Sequence, residues 1–515
     1  MMTSISTMLL APIVGAIVLL LVPERRADWV RRIAVAVTTI SLAIAVALFI
    51  QFDRARGGYQ FEQLIPWIPQ LGIGYHVGVD GISVVLALLH ALCAFTGVLV
   101  SYSIKERVKE YYIFYLTLIT GVFGVFVSLD LFAFYFFYEM AVIPMFPLIG
   151  IWGSGGEGIN SKEYATMKLT LYLTSGAVLG LIGLLSLYTL SGAQTFDIVS
   201  LERHLTVSPL PVAAQRWIFP MLLIGFGVIA PMWPFHSWSP IGHAAAPSAV
   251  SMLHAGVLMK LGSYAIIRLA VSLLPEGVAT WMPWVATICL MNILYGGLVA
   301  MAQKDAKFII GYSSSSHMGY VLLGIATLTT LGLNGAVFLM FAHGIMTALA
   351  FALIGFIYDQ THTRKIAEWG GLARQIPFVG TCFVIMAMAS SGVPGFANFP
   401  SEMLVLIGAW DNYRLQTILA VFGIVITAVY MLRLIRTGFF GPLPERWTHL
   451  KDAMTPFQRL PYVLLILVLL YFGCFPQTLV STIDSGTSAL LQRIRTAPVI
   501  LASPSPSQEV SHVHN

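Results

Sequence analysis

Charge is what this chain has little of. Only 10% of its 515 residues are charged, 57% are hydrophobic, and the mean hydropathy is +0.83. A soluble domain carries about 25% charged residues, so the composition excludes a water-soluble globule. Cysteine is scarce too. Cys93, Cys289, Cys382 and Cys474 each lie in an apolar segment and none forms a CxxC pair. They read as packing residues, not as a disulfide framework, a zinc site or an iron–sulfur site. The chain has no glycine-rich dinucleotide fingerprint and no histidine pair at haem spacing. No cofactor is expected in this chain. The formal net charge of +5 is spread through loops, which speaks against nucleic-acid binding. No basic stretch precedes the apolar residues 5–22, so these read as a first membrane span rather than a cleavable leader.

What the chain has in abundance is long apolar runs. A span needs about 20 apolar residues. Fourteen candidates lie near 5–22, 33–51, 81–103, 111–128, 131–152, 166–190, 217–236, 243–272, 281–302, 308–330, 334–358, 377–410, 414–440 and 461–481. Only Ser128, Leu129 and Asp130 divide the fourth from the fifth. The predicted fold is an all-α polytopic membrane protein embedded in the lipid bilayer. Eighteen Lys and Arg residues fall in or beside the loops after odd-numbered spans, and eight on the opposite side. The cation-rich side faces the cytoplasm. With an even number of spans, both termini are expected on the outer side of the cytoplasmic (inner) membrane.

Two spans are interrupted. The seventh carries Pro231, Pro234 and Pro240; the twelfth carries Gly392, Pro394, Gly395 and Pro400. Proline removes a backbone donor and clashes with the preceding turn. A broken helix at membrane depth is tolerated where protein or water covers the freed groups. The two breaks lie five spans apart, the layout of inverted five-helix repeats with an ion path between them. The expected segments are residues 1–110 (spans 1–3), 111–272 (first repeat, spans 4–8), 281–440 (second repeat, spans 9–13) and 441–515 (span 14 and a tail).

Against this apolar background, Glu139, Lys168, Lys260 and Glu402 fall inside spans. A charge at a helix centre costs about 2.5–3.5 kcal/mol on insertion scales. Acids and bases inside a membrane suit proton relay, because a change of charge on one shifts the proton affinity of the next. Lys260 lies mid-span, where snorkelling explains little. Lys168 lies near the cytoplasmic end and Glu402 beside the helix break, so snorkelling and satisfaction of freed donors compete with function there. A lone histidine in an apolar helix is more often a packing residue, and His90 is read so. Lys307 and Arg364 are read equally well as ordinary positive-inside residues. The HAAAP and YSSSSHMG stretches, rich in small residues, also suit close helix packing.

The motifs VDGIS (79–83), FFYEMAVIPM (136–145), ATMKLTLYLTSG (165–176), PFHSWSPIGHAAAP (234–247), AGVLMKLGSYAIIR (255–268), AQKDAKFIIGYSSSSHMGY (302–320), FAHGIMTALAF (341–351), HTRKIAEWGGL (362–372) and GVPGFANFPSEM (392–403) run in order through the chain. In these the chain resembles the antiporter-like family shared by the membrane subunits of respiratory complex I (NADH:quinone oxidoreductase) and Mrp-type cation/proton antiporters. Within it the likeness is to M-type subunits, on Glu402 in the twelfth span, where L and N types carry Lys, and on an end after span fourteen. The resemblance implies a proton-translocating membrane subunit driven by redox chemistry elsewhere. Flavin, iron–sulfur clusters and quinone are expected in partner subunits, with L- and N-type subunits as neighbours. It implies relay roles for Glu139, Lys168, Lys260, Glu402, His317 and His343, and a match of Arg364 to the HTR loop. An Mrp-type antiporter or membrane-bound hydrogenase subunit is the alternative.

The chain departs from the family at the seventh span. Ile229 stands where the family has Lys, and Ile241 where it has Asp. Ile229 can neither hold a proton nor serve as counter-charge to Glu139, so a subunit with impaired pumping is a further reading. His236, His243 and His254 are the candidates to supply a titratable partner instead. His254 precedes Lys260 by six residues, about 600° of helix at about 100° per residue. The two are therefore expected to point to different sides, with His254 toward the seventh span.

Overall fold

The computed structural model describes residues 4–156, 158 and 161–496, with side chains described to residue 494. The Arg495 side chain, one of the eight cations counted opposite the cation-rich side, and the tail 497–515 lie outside the described residues.

Twelve described helices are long and apolar enough to cross a membrane. The tenth span (Ala306–Ala326) and the two halves of the broken twelfth (Pro377–Ser390 and Asn398–Trp410) bring the spans to the fourteen expected. The eighth (Ser248–Val271) and eleventh (Thr330–Thr361) are buried along their whole apolar length. They form the axis against which the others pack.

Local chemistry sets the boundaries. Asp130 ends the fourth span's connection and caps the fifth, accepting from the backbone N–H of Phe132 (2.9 Å) and Ala133 (3.0 Å). This satisfies donors that a helix start leaves without partners. Asp80 caps the third span in the same way, from Ile82 and Ser83. The fifth span is not continuous. It runs Leu131–Val142 and resumes at Met145–Trp152, because Pro144 cannot donate into the ladder.

The seventh span breaks between Val212–Ile229 and Trp238–Ala245. The expected start of the eighth span at 243 is corrected here: His243 belongs to the second half of the seventh, and the eighth begins at Ser248. Pro247 forces the separation, since the residue before a proline is driven out of the helical region; Ala246 is extended at φ −62° and ψ 149°. Spans 4–8 and 9–13 therefore each carry a broken helix as their fourth member. In the twelfth, Gly392 sits at φ +66°, and a Cβ there would lie 2.7 Å from Glu402 Oε2. Glycine supplies both the left-handed turn and the close approach to the carboxylate.

Three elements were not anticipated. An antiparallel hairpin joins spans 2 and 3, with β1 (Gln60–Ile68) paired to β2 (Ile73–Val79) and Leu64 opposite His76. A short amphipathic helix (Ile198–Val207) follows the sixth span. A final helix (Gln477–Thr496) is tied to the eleventh span, where Asp484 accepts from Asn334 at 2.8 Å. All three lie on the face opposite the cation-rich loops.

Candidate functional site

The sequence scatters the candidate residues over some 260 positions; the fold brings half of them into one row. Lys260 is 0% exposed. Its ammonium donates to the Ala255 carbonyl and lies 2.8 Å from His343 Nδ1. The side chain turns inward and does not snorkel. His343 stacks on His317, rings 5.1 Å apart at 29°. His317 Nε2 lies 3.6 Å from Glu402 Oε1. The row Lys260–His343–His317–Glu402 spans the eighth, eleventh, tenth and twelfth helices, and all four side chains are buried.

Hydrogen-bond roles fix what the row can do. His343 Nδ1 faces an ammonium, so it accepts, and its proton sits on Nε2. His317 Nδ1 lies 2.8 Å from the Ser313 carbonyl, which can only accept, so Nδ1 carries the proton. Nε2 of His317 is thereby left to exchange a proton with Glu402. The pair holds one proton as neutral acid and neutral imidazole, or as carboxylate and imidazolium. The row thus sets a base at one end and an acid at the other, with two stacked imidazoles between them.

Helix geometry sets these positions. The eighth span carries two π segments, His254–Leu258 and Ile266–Val271. Such one-residue insertions shift the phase of a helix. The first brings the Ala255 carbonyl to Lys260 and sends His254 toward the second half of the seventh span. There His254 stacks on Trp238 (5.1 Å, 23°) and meets His243 (4.2 Å). Neither ring nitrogen of His243 or His254 has a protein partner among the described residues. Ser239 Oγ, Ser314 Oγ, Ser390 Oγ and both polar atoms of Asn398 share that condition. Buried polar atoms without partners cost about 1–3 kcal/mol each, and their concentration here makes this a polar region inside the bundle.

The remaining candidates stand apart from the row. Lys168 is half-buried, its ammonium 5.7 Å from the Tyr164 ring and 5.9 Å from that of Tyr172. Ser237 Oγ donates to Tyr172 Oη at 3.2 Å, which places Lys168 beside His236. The His236 ring packs on Tyr295 at 5.5 Å. Glu139 is half-buried and shares a face of the fifth span with the exposed Phe132, Phe136 and Ile143. Among the described residues neither Glu139 nor Lys168 forms an ion pair. Ile229 is fully buried and packs on the eighth span at Gly262, where a Cβ would lie 2.6 Å from its Cγ2.

Several groups at the site escaped the sequence reading. Asn292, buried in the ninth span, accepts from Trp233 N–H (2.7 Å) and donates to the carbonyls of Pro231 (2.7 Å) and Ser315 (3.2 Å). It satisfies the backbone freed by the break in the seventh span. Asp80 pairs with Arg268 at 2.7 Å, both buried, and Tyr59 Oη accepts from Arg268 at 2.9 Å. A lone Asn in an apolar run and an Asp–Arg pair 188 residues apart leave no local pattern. Lys307 and Arg364 are more than surface cations. They donate to the carbonyls of Ala246 and Ala244 at the end of the seventh span's second half, as cations do at helix C-termini.

Comparison with known proteins bears on family and fold. The family model described as NADH:quinone oxidoreductase/Mrp antiporter, TM, matches residues 128–427. NADH-quinone oxidoreductase subunit M of Rickettsia typhi is 33% identical over 465 residues, 90% of this chain and 92% of that protein. NAD(P)H-quinone oxidoreductase chain 4 1 of Synechococcus elongatus is 34% identical over 500 residues, covering 96% and 92%. A chain of respiratory complex I from Thermus thermophilus superposes with a TM-score of 0.86 at 29% identity, covering 95% and 99%. A chain of the Mrp complex from Dietzia sp. gives 0.82 at 22% identity, covering 96% and 100%, a likeness of fold. The chain belongs to the NADH:quinone oxidoreductase/Mrp antiporter transmembrane family.

Proposed function

We propose that the chain is a membrane-arm subunit of a proton-pumping NADH:quinone oxidoreductase. The observation that carries this reading is the buried row Lys260–His343–His317–Glu402, an acid and a base joined by two imidazoles inside the membrane. Lys260 is the central base, His343 and His317 pass the proton, and Glu402 is the terminal acid. Electrostatic coupling drives the row: a charge change in a neighbouring subunit alters proton affinity at Lys260. Electron transfer, with flavin, iron–sulfur clusters and quinone, belongs to partner subunits.

The reading places the chain in the cytoplasmic membrane with both termini outside, between L- and N-type neighbours. It takes residues 111–272 and 281–440 as the two repeats, with the proton path at their contact. Glu139, on the exposed apolar stripe of the fifth span, then lies at a contact between subunits, with Lys168 and His236 on the cytoplasmic approach. His254 faces the second half of the seventh span and stands between that approach and Lys260. The absence of a lysine at Ile229 favours a second reading, a subunit that occupies its place in the arm without pumping.

The test is purification of the membrane complex through a tag on this chain, followed by reconstitution in vesicles. NADH-driven quinone reduction with inward proton transport supports the proposal. Cation/proton exchange without NADH turnover would assign the chain to the antiporters. Turnover with a proton-to-electron ratio unchanged by Lys260→Met would assign it to the non-pumping reading.

A further inference from the structure

On the proposed pumping function the central row needs protons from the cytoplasm, and Ile229, buried against Gly262 in the seventh span, has no group to hold one. Two adjoining cavities lie on the cytoplasmic side, of about 490 Å³ and about 100 Å³. Both are lined by Val100 and Ser103 at the end of the third span and by Asp359 in the last turn of the eleventh. Asp359 and Ser103 are exposed there. The smaller cavity is also lined by Ser248, at the start of the eighth span, and by Lys307. Lys307 is 1% exposed, so its amine lies inward of the mouth. It donates to the Ala246 carbonyl at 2.7 Å. Ala246 follows His243 by three residues, and the His243 ring meets His254 at 4.2 Å. His254 opens the π segment whose Ala255 carbonyl receives Lys260.

We propose that the cytoplasmic proton entry of this subunit runs through Asp359 and Lys307 to His243 and His254, and so to Lys260, without using the seventh-span position held by Ile229. This rests on the proposed pumping function and adds the route by which it is supplied. Asp359 collects protons at the mouth. Lys307 gives its proton inward to His243 and is recharged from the Asp359 side. The two imidazoles pass it to the amine of Lys260. A carboxylate at the mouth and a single amine deeper in keep the entry selective for a proton over larger cations.

Lys307 also has a structural role, because it satisfies a helix-end carbonyl beside Arg364. The substitution that separates the two roles is Lys307→Arg. It keeps the charge and the donor but does not release a proton at accessible pH. The experiment measures the proton-to-electron ratio of the intact complex in inside-out vesicles for Lys307→Arg, Asp359→Asn and Lys260→Met. A fall in both entry variants to the level of Lys260→Met is the expected result. If Lys260→Met falls while both entry variants match wild type, protons enter elsewhere and only the proposed route fails. If Lys260→Met also matches wild type, the pumping reading fails and takes the route with it. Labelling guards against loss of assembly. In a Cys474→Ser background, Ser103→Cys is treated from the cytoplasmic side with a bulky, impermeant thiol reagent. Labelled complex with a lower ratio than unlabelled complex supports the route, and equal ratios overturn it.

Discussion

Replacing Lys260 by methionine should stop proton transfer and leave the subunit assembled, and the structure indicates why the two effects separate. Methionine roughly conserves the volume of the stem, so no large cavity opens. Two partners are lost, the Ala255 carbonyl and His343 Nδ1. A buried polar group left unpaired costs about 1–3 kcal/mol. Against this, a buried ammonium no longer has to be desolvated, and a charge at a helix centre costs about 2.5–3.5 kcal/mol on insertion scales. The opposing contributions are of similar size, so the net change in stability should be small. Lys260→Ala lacks this balance: it adds a cavity costing about 2–5 kcal/mol and should lower the thermal midpoint. Both should lose most proton transport, and coupled quinone reduction should fall with it. Lys260→Arg should keep assembly and fail to restore pumping, because guanidinium retains its proton. The assay pairs fluorescence-dye proton uptake with NADH oxidation in the same vesicles, alongside a thermal melt of the solubilised complex. Wild-type uptake by Lys260→Met would refute the reasoning, because no titratable group would then remain at that end of the row.

Glu402 should rank wild type, then Asp, then Gln in proton transport, since Asp shortens the reach and Gln removes the titratable group; equal transport by Gln and wild type would make the carboxylate structural. Asn292→Leu should destabilise the assembled subunit by about 1–3 kcal/mol per orphaned group, beginning with the Trp233 N–H, and a thermal melt reads it. Ile229→Lys should leave the proton-to-electron ratio unchanged, because the position packs on Gly262 away from the cytoplasmic cavities; a rise would show that the seventh-span approach is the limiting one. On the face opposite the cation-rich loops, burial pushes His76 down, but its bonds to Asp197 and Glu62 outweigh this and hold it above its ordinary value. Burial pushes Asp197 up, and His76 with Ser200 outweighs that and holds it down. The His76 contribution is therefore complete below its unfolded value of about 6.5 and lost as pH rises through the raised folded value. That of Asp197 is present above about 3.9 and lost as pH falls through its lowered folded value. Hydrogen exchange of the amides that tie the hairpin down, such as Leu129 N–H to the His76 carbonyl, should accelerate beyond the intrinsic rate above neutrality.

Much of the architecture was legible because membrane insertion writes itself into long apolar runs. The fourteen spans, the cation-rich face and both breaks follow from run length, Lys and Arg placement and proline. What was not legible depends on contacts between distant segments. The hairpin Gln60–Ile68 and Ile73–Val79 is apolar but too short for a span, and the residues of its first strand are largely exposed rather than alternating over a core of their own. The eighth span's start was misplaced because HAAAP continues an apolar run, and only Pro247 marks the turn. The π segments have no residue signature, so the six-residue spacing of His254 and Lys260 said less about their directions than a regular helix implies. Lys307 looked like a loop cation until the fold placed it 1% exposed behind Asp359.

The residues that match the family and those that depart from it are distributed in a way that bears on mechanism. Every titratable member of the row from Lys260 to Glu402 is present, buried and within reach of its neighbour. Every loss lies on the approach, where Ile229 and Ile241 replace groups that hold charge. Four buried ionisable side chains each oppose insertion and are held by bonds within their own helices and to neighbouring ones, which favours the pumping reading over a subunit that has lost it. If the row conducts as proposed while Ile229 and Ile241 stand in the seventh span, protons need another entrance. The cytoplasmic cavities at Asp359 and Lys307, with His243 and His254 leading inward, meet that requirement with groups already in place.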